Sequence, residues 1–250
     1  MSKTPSIPAP FKPFRKQAWQ PKVKPGIGPS THSKFGGRPW IAPGEPWPEC
    51  PSCMQPLKLF VQLNLNQIPK ELEEDFGTGL LQLFYCTNDE PDCAVACEAW
   101  FPFSQSTVVR IVHPESPDSG SEEHESEEHE IEDSFPEKVI VGWEAVEDYP
   151  DPEEIEAMGV NLSDQDWEQL ERLDDQGVSI PRDGDKLSGW PFWAQSPEYP
   201  DCPKCAGRMQ LVFQIDSECN LPFAFGDSGC GHITQCEIHP DQVAFGWACA

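Results

Sequence analysis

The sequence predicts a β-rich α+β fold with internal duplication, built from two β-sheet modules and few short helices. Three observations point to it. The chain is written twice: Lys34 and Lys186, Cys50 and Cys202, and Gln62 and Gln214 share one offset of about 152 residues, and Cys86 and Trp100 are answered by Cys236 and Trp247. A sustained repeat of this kind means two copies of one structural unit. Short apolar runs rich in β-branched residues recur between turn residues, as strands do. The 28 prolines and an apolar fraction of 38 % suit strands and loops better than a helical bundle.

Along the chain, residues 1–32 read as a basic, proline-rich N-terminal arm in which Phe11, Phe14 and Trp19 are scattered. The first repeat module spans 33–113, with strands expected at Lys58–Asn64, Leu80–Tyr85 and Thr107–Val112. Between the first two, Pro69–Phe76 reads as a short helix, with Pro in the first turn and Gly77 as its stop. Residues 114–136 are a low-complexity acidic insert, too polar to offset the entropy of ordering, and are expected to be disordered. A connecting strand and helix follow over 137–184: Lys138–Trp143 reads as the strand. Ser163-Asp164-Gln165-Asp166 reads as a capping box opening a helix that Gly177 ends. The second repeat module spans 185–250, with strands at Met209–Ile215, His232–Gln235 and Gln242–Trp247.

The formal net charge of −26 is unevenly spread. Residues 1–48 hold eight Lys or Arg and one acid, whereas the other 202 residues hold nine basic and 42 acidic side chains. A strongly acidic body excludes ordinary binding to a nucleic-acid backbone and suits a basic protein partner. No apolar run approaches the roughly 18 residues of a membrane span, and residues 1–10 lack the apolar stretch of a secretory signal. The expectation is a cytoplasmic protein with no membrane partner. In that reducing setting its 11 cysteines read as metal ligands or free thiols rather than disulfides.

The cysteine spacing carries the chemistry. Cys202-x2-Cys205, thirty residues, then Cys236-x2-His239 places two thiolates on one turn and a thiolate plus an imidazole on another. Zn2+ takes such N and S donors in a closed tetrahedron. The first module offers Cys50-x2-Cys53 and, after thirty-two residues, Cys86, with the fourth ligand open between Cys93 and Cys97; Asp89 stands in the place of His239. Up to two structural Zn2+ ions are therefore expected. Cys219, Cys230 and Cys249 read as ordinary thiols, although Cys230 and His232 are possible substitutes in the second site. The competing reading, a thiol-redox protein using the Cys-x2-Cys pairs, needs a thiol at a helix N-terminus, and here each pair leads into a strand-like run.

Other motifs fail on context. Gly226-Asp227-Ser228-Gly229 resembles a serine-nucleophile loop but has no matching His and Asp. His124 and His129 miss the i, i+4 spacing of a metalloprotease helix. Gln62 and Gln214, each inside an apolar run, must satisfy buried amides, either as cross-links between the modules or as the lining of a pocket with Asn64 or Asp216.

Ser33–Trp40, Leu80–Cys86, Phe213–Glu218 and Cys230–Cys236 resemble the bacterial YwqG-like family across most of the chain outside the insert. That resemblance implies a fold but no activity. Ser33–Trp40 followed by Cys50-x2-Cys53, Pro56-Leu57 and Gln62 is more distantly similar to the start of the programmed cell death protein 2 family, whose members chaperone a small-subunit ribosomal protein. The expectation is a non-catalytic, zinc-stabilised protein-binding module holding a basic client such as a ribosomal protein. An enzyme with a cleft between the repeats is the alternative, although no catalytic residue can be named.

Overall fold

The computed structural model describes residues 6–115 and 134–249. Most of the acidic insert expected at 114–136 lies outside them. Ten strands among the described residues are β1 (Lys16–Pro25), β2 (Lys34–Phe35), β3 (Lys58–Asn64), β4 (Leu80–Tyr85), β5 (Thr107–Val112), β6 (Lys138–Asp148), β7 (Lys186–Leu187), β8 (Gln210–Asp216), β9 (Cys230–Gln235) and β10 (Val243–Ala248). They form one sheet in the order β10-β9-β8-β7-β1-β6-β2-β3-β4-β5. Every pairing is antiparallel. The end strands approach each other: the Trp247 amide on β10 donates to the Trp100 carbonyl just before β5 (3.0 Å), and its indole Nε1 donates to the Tyr85 hydroxyl on β4 (3.0 Å). The sheet is thus a nearly closed barrel.

The two modules, which the sequence leaves open as one continuous sheet or two, share one sheet and one core. Phe60 of β3 packs 4.9 Å from Phe223 and 5.9 Å from Phe225 in the other half, and Phe35 lies 5.9 Å from Phe213. Tyr85, Phe225 and Phe245 complete this aromatic centre. Aromatic groups supply much area at low entropic cost, so they dominate a core enclosed by one curved sheet.

β1 lies in the segment expected as an arm, yet it sits in the middle of the sheet. It runs beside β6 along its whole length and meets β7 only at Trp19↔Leu187. Most of its second edge is therefore unpaired, which is why Pro21 and Pro25 are tolerated in it. β6 runs five residues beyond the expected strand. Its extension is polar and pairs by charge, Glu144 with Lys22 (3.3 Å) and Glu147 with Arg15 (2.7 Å).

Helices are short. α1 (Cys93–Ala96) is capped by Asp92, α2 (Pro152–Ala157) by Asp151, and α3 (Asp164–Asp174) by the reciprocal Ser163–Asp166 capping box that the sequence announces. The helix expected over Pro69–Phe76 is only a 3-10 turn at Lys70–Leu72. Nucleating an α-helix costs more than so short a segment returns; here Leu72 and Phe76 reach the core without one.

The interior also holds charge. Asp148 and Lys186 have fully buried side chains, with Lys186 Nζ 2.9 Å from Asp148 Oδ2. Asp148 also accepts from the amides of Tyr149 (3.0 Å), Arg182 (2.8 Å) and Trp190 (2.8 Å). Removing one partner of such a pair leaves an uncompensated buried charge. Asp148→Ala is therefore expected to lower unfolding free energy by about 3–5 kcal/mol. Arg15→Ala, which breaks the exposed pair with Glu147, should leave the denaturation midpoint near that of the parent. Urea titration followed by tryptophan fluorescence checks both.

Candidate metal centres

Each half carries the same tight turn. In the first, the Cys50 amide donates to Gln55 O (2.9 Å) and the Met54 amide to Cys50 O (2.8 Å); in the second, the Cys202 amide donates to Gly207 O and the Ala206 amide to Cys202 O, both at 2.8 Å. Met54 and Ala206 take positive φ, 58° and 55°, to close these turns. The two thiols of each turn therefore face one way. The other donors come from the exits of β4 and β9. Cys86 follows β4 and is anchored through its amide to Ser106 O (3.0 Å), while Cys236 follows β9 and is anchored to Gln242 O (3.0 Å).

Two donor sets result: Cys50, Cys53, Cys86 and Cys93, and Cys202, Cys205, Cys236 and His239, in each of which all four ligand atoms lie within 4.8 Å of one another. Cys53 and Cys86 sulfurs are 3.7 Å apart, as are Cys205 and Cys236; His239 Nδ1 is 3.7 Å from both Cys202 and Cys236 Sγ. A tetrahedral Zn2+ with Zn–S near 2.3 Å has sulfur–sulfur edges of about 3.8 Å. Amides of Lys204 and His239 point at the sulfurs of Cys202 and Cys236, both at 3.4 Å, in the manner of outer-shell donors to thiolates.

The expected ligands Cys50, Cys53, Cys86, Cys202, Cys205, Cys236 and His239 all fall in these sets. The open fourth position of the first set is filled by Cys93, which starts α1 and is buried. Cys97 lies outside this set: it caps the far end of that helix, one turn on, and its amide donates back to Cys93 O (3.1 Å). Asp89 is exposed and outside the set. Cys230 and His232 do not substitute in the second set, because Cys230 Sγ points to Ile215 O (3.5 Å) and His232 Nε2 to Phe192 O (3.0 Å).

The electrostatics of the sets match a cation. Burial opposes ionisation of Cys202, but the amides of Lys204 and Cys205, with the Cys236 and Cys205 thiols, bring it down to about 6. Burial pushes Cys93 up to about 11 and Cys86 higher still. Packed thiols cannot all ionise together unless a bound cation offsets their repulsion. All eleven cysteines are free.

Gln62 and Gln214 brace loops within their own halves. Gln62 Oε1 accepts from the Trp40 amide (2.9 Å) and Nε2 donates to Ser30 O (2.7 Å) and His32 O (2.9 Å). Gln214 Oε1 accepts from the Phe192 amide (2.7 Å) and Nε2 donates to Arg182 O (3.3 Å) and Gly184 O (2.8 Å). Neither links the halves.

Sequence reading missed a cavity of about 360 Å3 beside the barrel seam, lined among others by Trp193, Tyr199, His232, Thr234 and Trp247. The only advance signal was Thr234, a small polar residue where the first half has Phe84.

Fold and donor sets together define a β-rich chain with two Cys-rich clusters able to hold metal ions. The chain belongs to the family described as Domain of unknown function (DUF1963), which it matches over residues 33–245, a span that encloses both clusters. Comparison with curated proteins gives no match. No helix among the described residues is long and apolar enough to cross a membrane.

His232 offers a pH test of this half. Burial first, then the nearby Lys186 charge, pushes its pKa from the ordinary 6.5 down to about 3. The unfolded chain therefore takes up a proton that the folded chain refuses. The stability this represents is whole above pH 6.5 and drains as pH falls from there toward 3. His232→Gln, which copies Gln82 of the first half, is expected to flatten the loss of stability between pH 6.5 and 5 relative to the parent, read from denaturation midpoints.

Proposed function

We propose that each cluster holds one structural Zn2+ and that the chain is a non-catalytic scaffold that binds a basic protein segment. The observation that carries this is the pair of closed four-donor sets within 4.8 Å. Four protein ligands leave no open position for a substrate or a metal-bound water, so such sites hold structure rather than perform hydrolysis. Zn2+ supplies folding energy to small modules, an apparent binding of about 10–16 kcal/mol, comparable to the whole stability of an ordinary domain, about 5–15 kcal/mol.

The two halves read best as copies of one unit. Besides the shared glutamine braces, the Ser33 hydroxyl accepts from the Asn64 amide (2.8 Å) as the Asp185 carboxylate accepts from the Asp216 amide (2.8 Å). Lys34 and Lys186 also sit at equal register opposite Gln62 and Gln214. The net charge of −26 favours a cationic partner. The likeness of Ser33–Trp40 and Cys50-x2-Cys53 to the programmed cell death protein 2 family favours a ribosomal protein as that partner. Reduced thiols and structural zinc fit a cytoplasmic setting.

Elemental analysis should find about two zinc ions per chain for two sites of this type. Cys93→Ser and Cys202→Ser should each lose one, and Cys97→Ser none; a zinc-free parent protein overturns the metal reading. For the partner, immobilised full-length protein is exposed to purified small-subunit ribosomal proteins across a salt series. Capture at low salt that weakens steeply as salt screens the charges supports the reading, and no capture at low salt overturns it.

A further inference from the structure

The two halves treat one place in the sheet differently. In the first, Gln82 on β4 lies opposite Arg110 on β5, and Phe84 opposite Val108. In the second, His232 on β9 lies opposite Gly246 on β10, and Thr234 opposite Ala244. The frames are alike: Gln82 Nε2 donates to Trp40 O (2.7 Å), and His232 Nε2 donates to Phe192 O (3.0 Å).

The first half fills the space itself. Arg110 Nε donates to Gln82 Oε1 (2.9 Å), the guanidinium lies 5.3 Å from the centre of the Phe84 ring, and Glu45 pairs with it. The second half has a hydroxyl for the phenyl ring and glycine for the arginine, and the cavity of about 360 Å3 is what remains. Trp100, Trp193, Tyr199 and Trp247 wall it, and the exposed Glu198 stands on its rim, close to the place that Glu45 has in the first half. Two polar atoms in its wall are buried without a partner, Trp193 Nε1 and Thr234 Oγ1, on residues only 8 % and 2 % exposed.

We propose that this cavity is the binding site for an arginine side chain presented by a protein segment, seated as Arg110 seats itself in the first half. The assignment rests on the basic-partner reading and gives it a point of contact. A guanidinium against the half-buried Trp100 or Trp247 indole gains cation–π attraction in a partly dry site, whereas the Tyr199 ring already carries the Arg208 guanidinium, 3.3 Å from its centre. Its N–H fork has an acceptor in the exposed Glu198 carboxylate. The Phe192 carbonyl can only accept, so His232 Nε2 carries the ring proton and Nδ1 is left an acceptor, the part Gln82 Oε1 plays toward Arg110.

Calorimetry on the full chain with a blocked Gly-Gly-Arg-Gly-Gly peptide tests the assignment. Probes for comparison are the same peptide with lysine or citrulline, and agmatine. The arginine peptide should bind about tenfold more tightly than the citrulline peptide, since charge-assisted bidentate bonds are lost in the latter, and more tightly than lysine or agmatine. Gly246→Arg, which copies Arg110 and fills the seat from within the chain, should abolish binding. Glu198→Gln, at an exposed position that folding does not need, should weaken it about fivefold and lower its salt sensitivity. Equal binding of arginine and citrulline peptides, or full binding by Glu198→Gln, overturns the proposal; agmatine binding as tightly as the peptide overturns the choice of a protein segment. Both variants lie outside the metal sets and should keep the parent's zinc content. If they still capture ribosomal proteins while the arginine peptide fails to bind the parent, the pocket assignment falls and the basic-partner reading stands.

Discussion

The structure hangs on two carboxylates at opposite ends of β6. Glu137, just before the strand, accepts from Lys34 Nζ (3.3 Å) and from the Gly28 amide (2.7 Å) in the first half. Asp148, its last residue, takes Lys186 Nζ and three amides around the second half. These are the places where the sheet is thinnest: β2 meets β6 through two residue pairs, and β7 meets β1 through one. So few ladder bonds cannot define the angle between the halves. A buried carboxylate that accepts from a buried lysine and from backbone amides can, because any other arrangement strands a charge in a medium that solvates it poorly. The loops comply: a Cβ on Gly37 would stand 2.2 Å from Glu137 Oε2, and one on Gly189 2.4 Å from Asp148 Oδ2, while both glycines have positive φ, 67° and 88°. Only glycine lets the backbone pass over each carboxylate.

Outside this clamp the halves need other means of holding their loops. The aromatic core occupies the barrel interior, but the Cys-bearing turns lie beyond it in small separate clusters. The one around Cys202 and Cys236 adds only Met209 and Ala244 as buried apolar neighbours. So little area cannot order two loops. A metal ion held by the four donors would replace the missing core with coordination, the usual solution where hydrophobic burial runs short. The same turns also hold a cavity-lining side chain: Pro200 O receives the Met209 amide (2.9 Å), and the preceding Tyr199 is pinned by its hydroxyl to Glu154 (2.8 Å). The wall of the aromatic cavity is thus tied to the second donor set through a handful of residues.

Much of this was legible because the physics was local. Lys58–Asn64 and Leu80–Tyr85 match the expected strands to the residue, since strands buried on both faces appear as apolar runs with sharp polar ends, and the half-buried Thr107–Val112 matches through its β-branched residues. The donor spacing was equally plain, because a chelate turn has a fixed length. What escaped depended on distant partners. β1 looks like a basic arm until the acidic extension of β6 is laid against it, and neither strand is amphipathic alone. Cys93 and Cys97 differ by one helical turn, and only the position of α1 decides which sulfur faces Cys50. Gln62 and Gln214 were known to need partners, but the loop carbonyls they hold are 30 and 32 residues away in sequence.

The contrast between the halves is the most informative feature of the chain. A fold that repeats its braces, its lysines and its chelate turns is free to differ only where the difference costs little. Phe84 and Arg110 fill one half, whereas Thr234 and Gly246 empty the other. Emptying a buried site leaves walls without contacts and polar atoms without partners, and both are destabilising. A void that merely lowered stability would be closed by a single larger side chain, and the first half displays that solution. The chain instead keeps an open aromatic cavity with an acid at its rim. A guanidinium entering such a site would restore the kind of contacts that Arg110 makes with Gln82 and Phe84 in the first half.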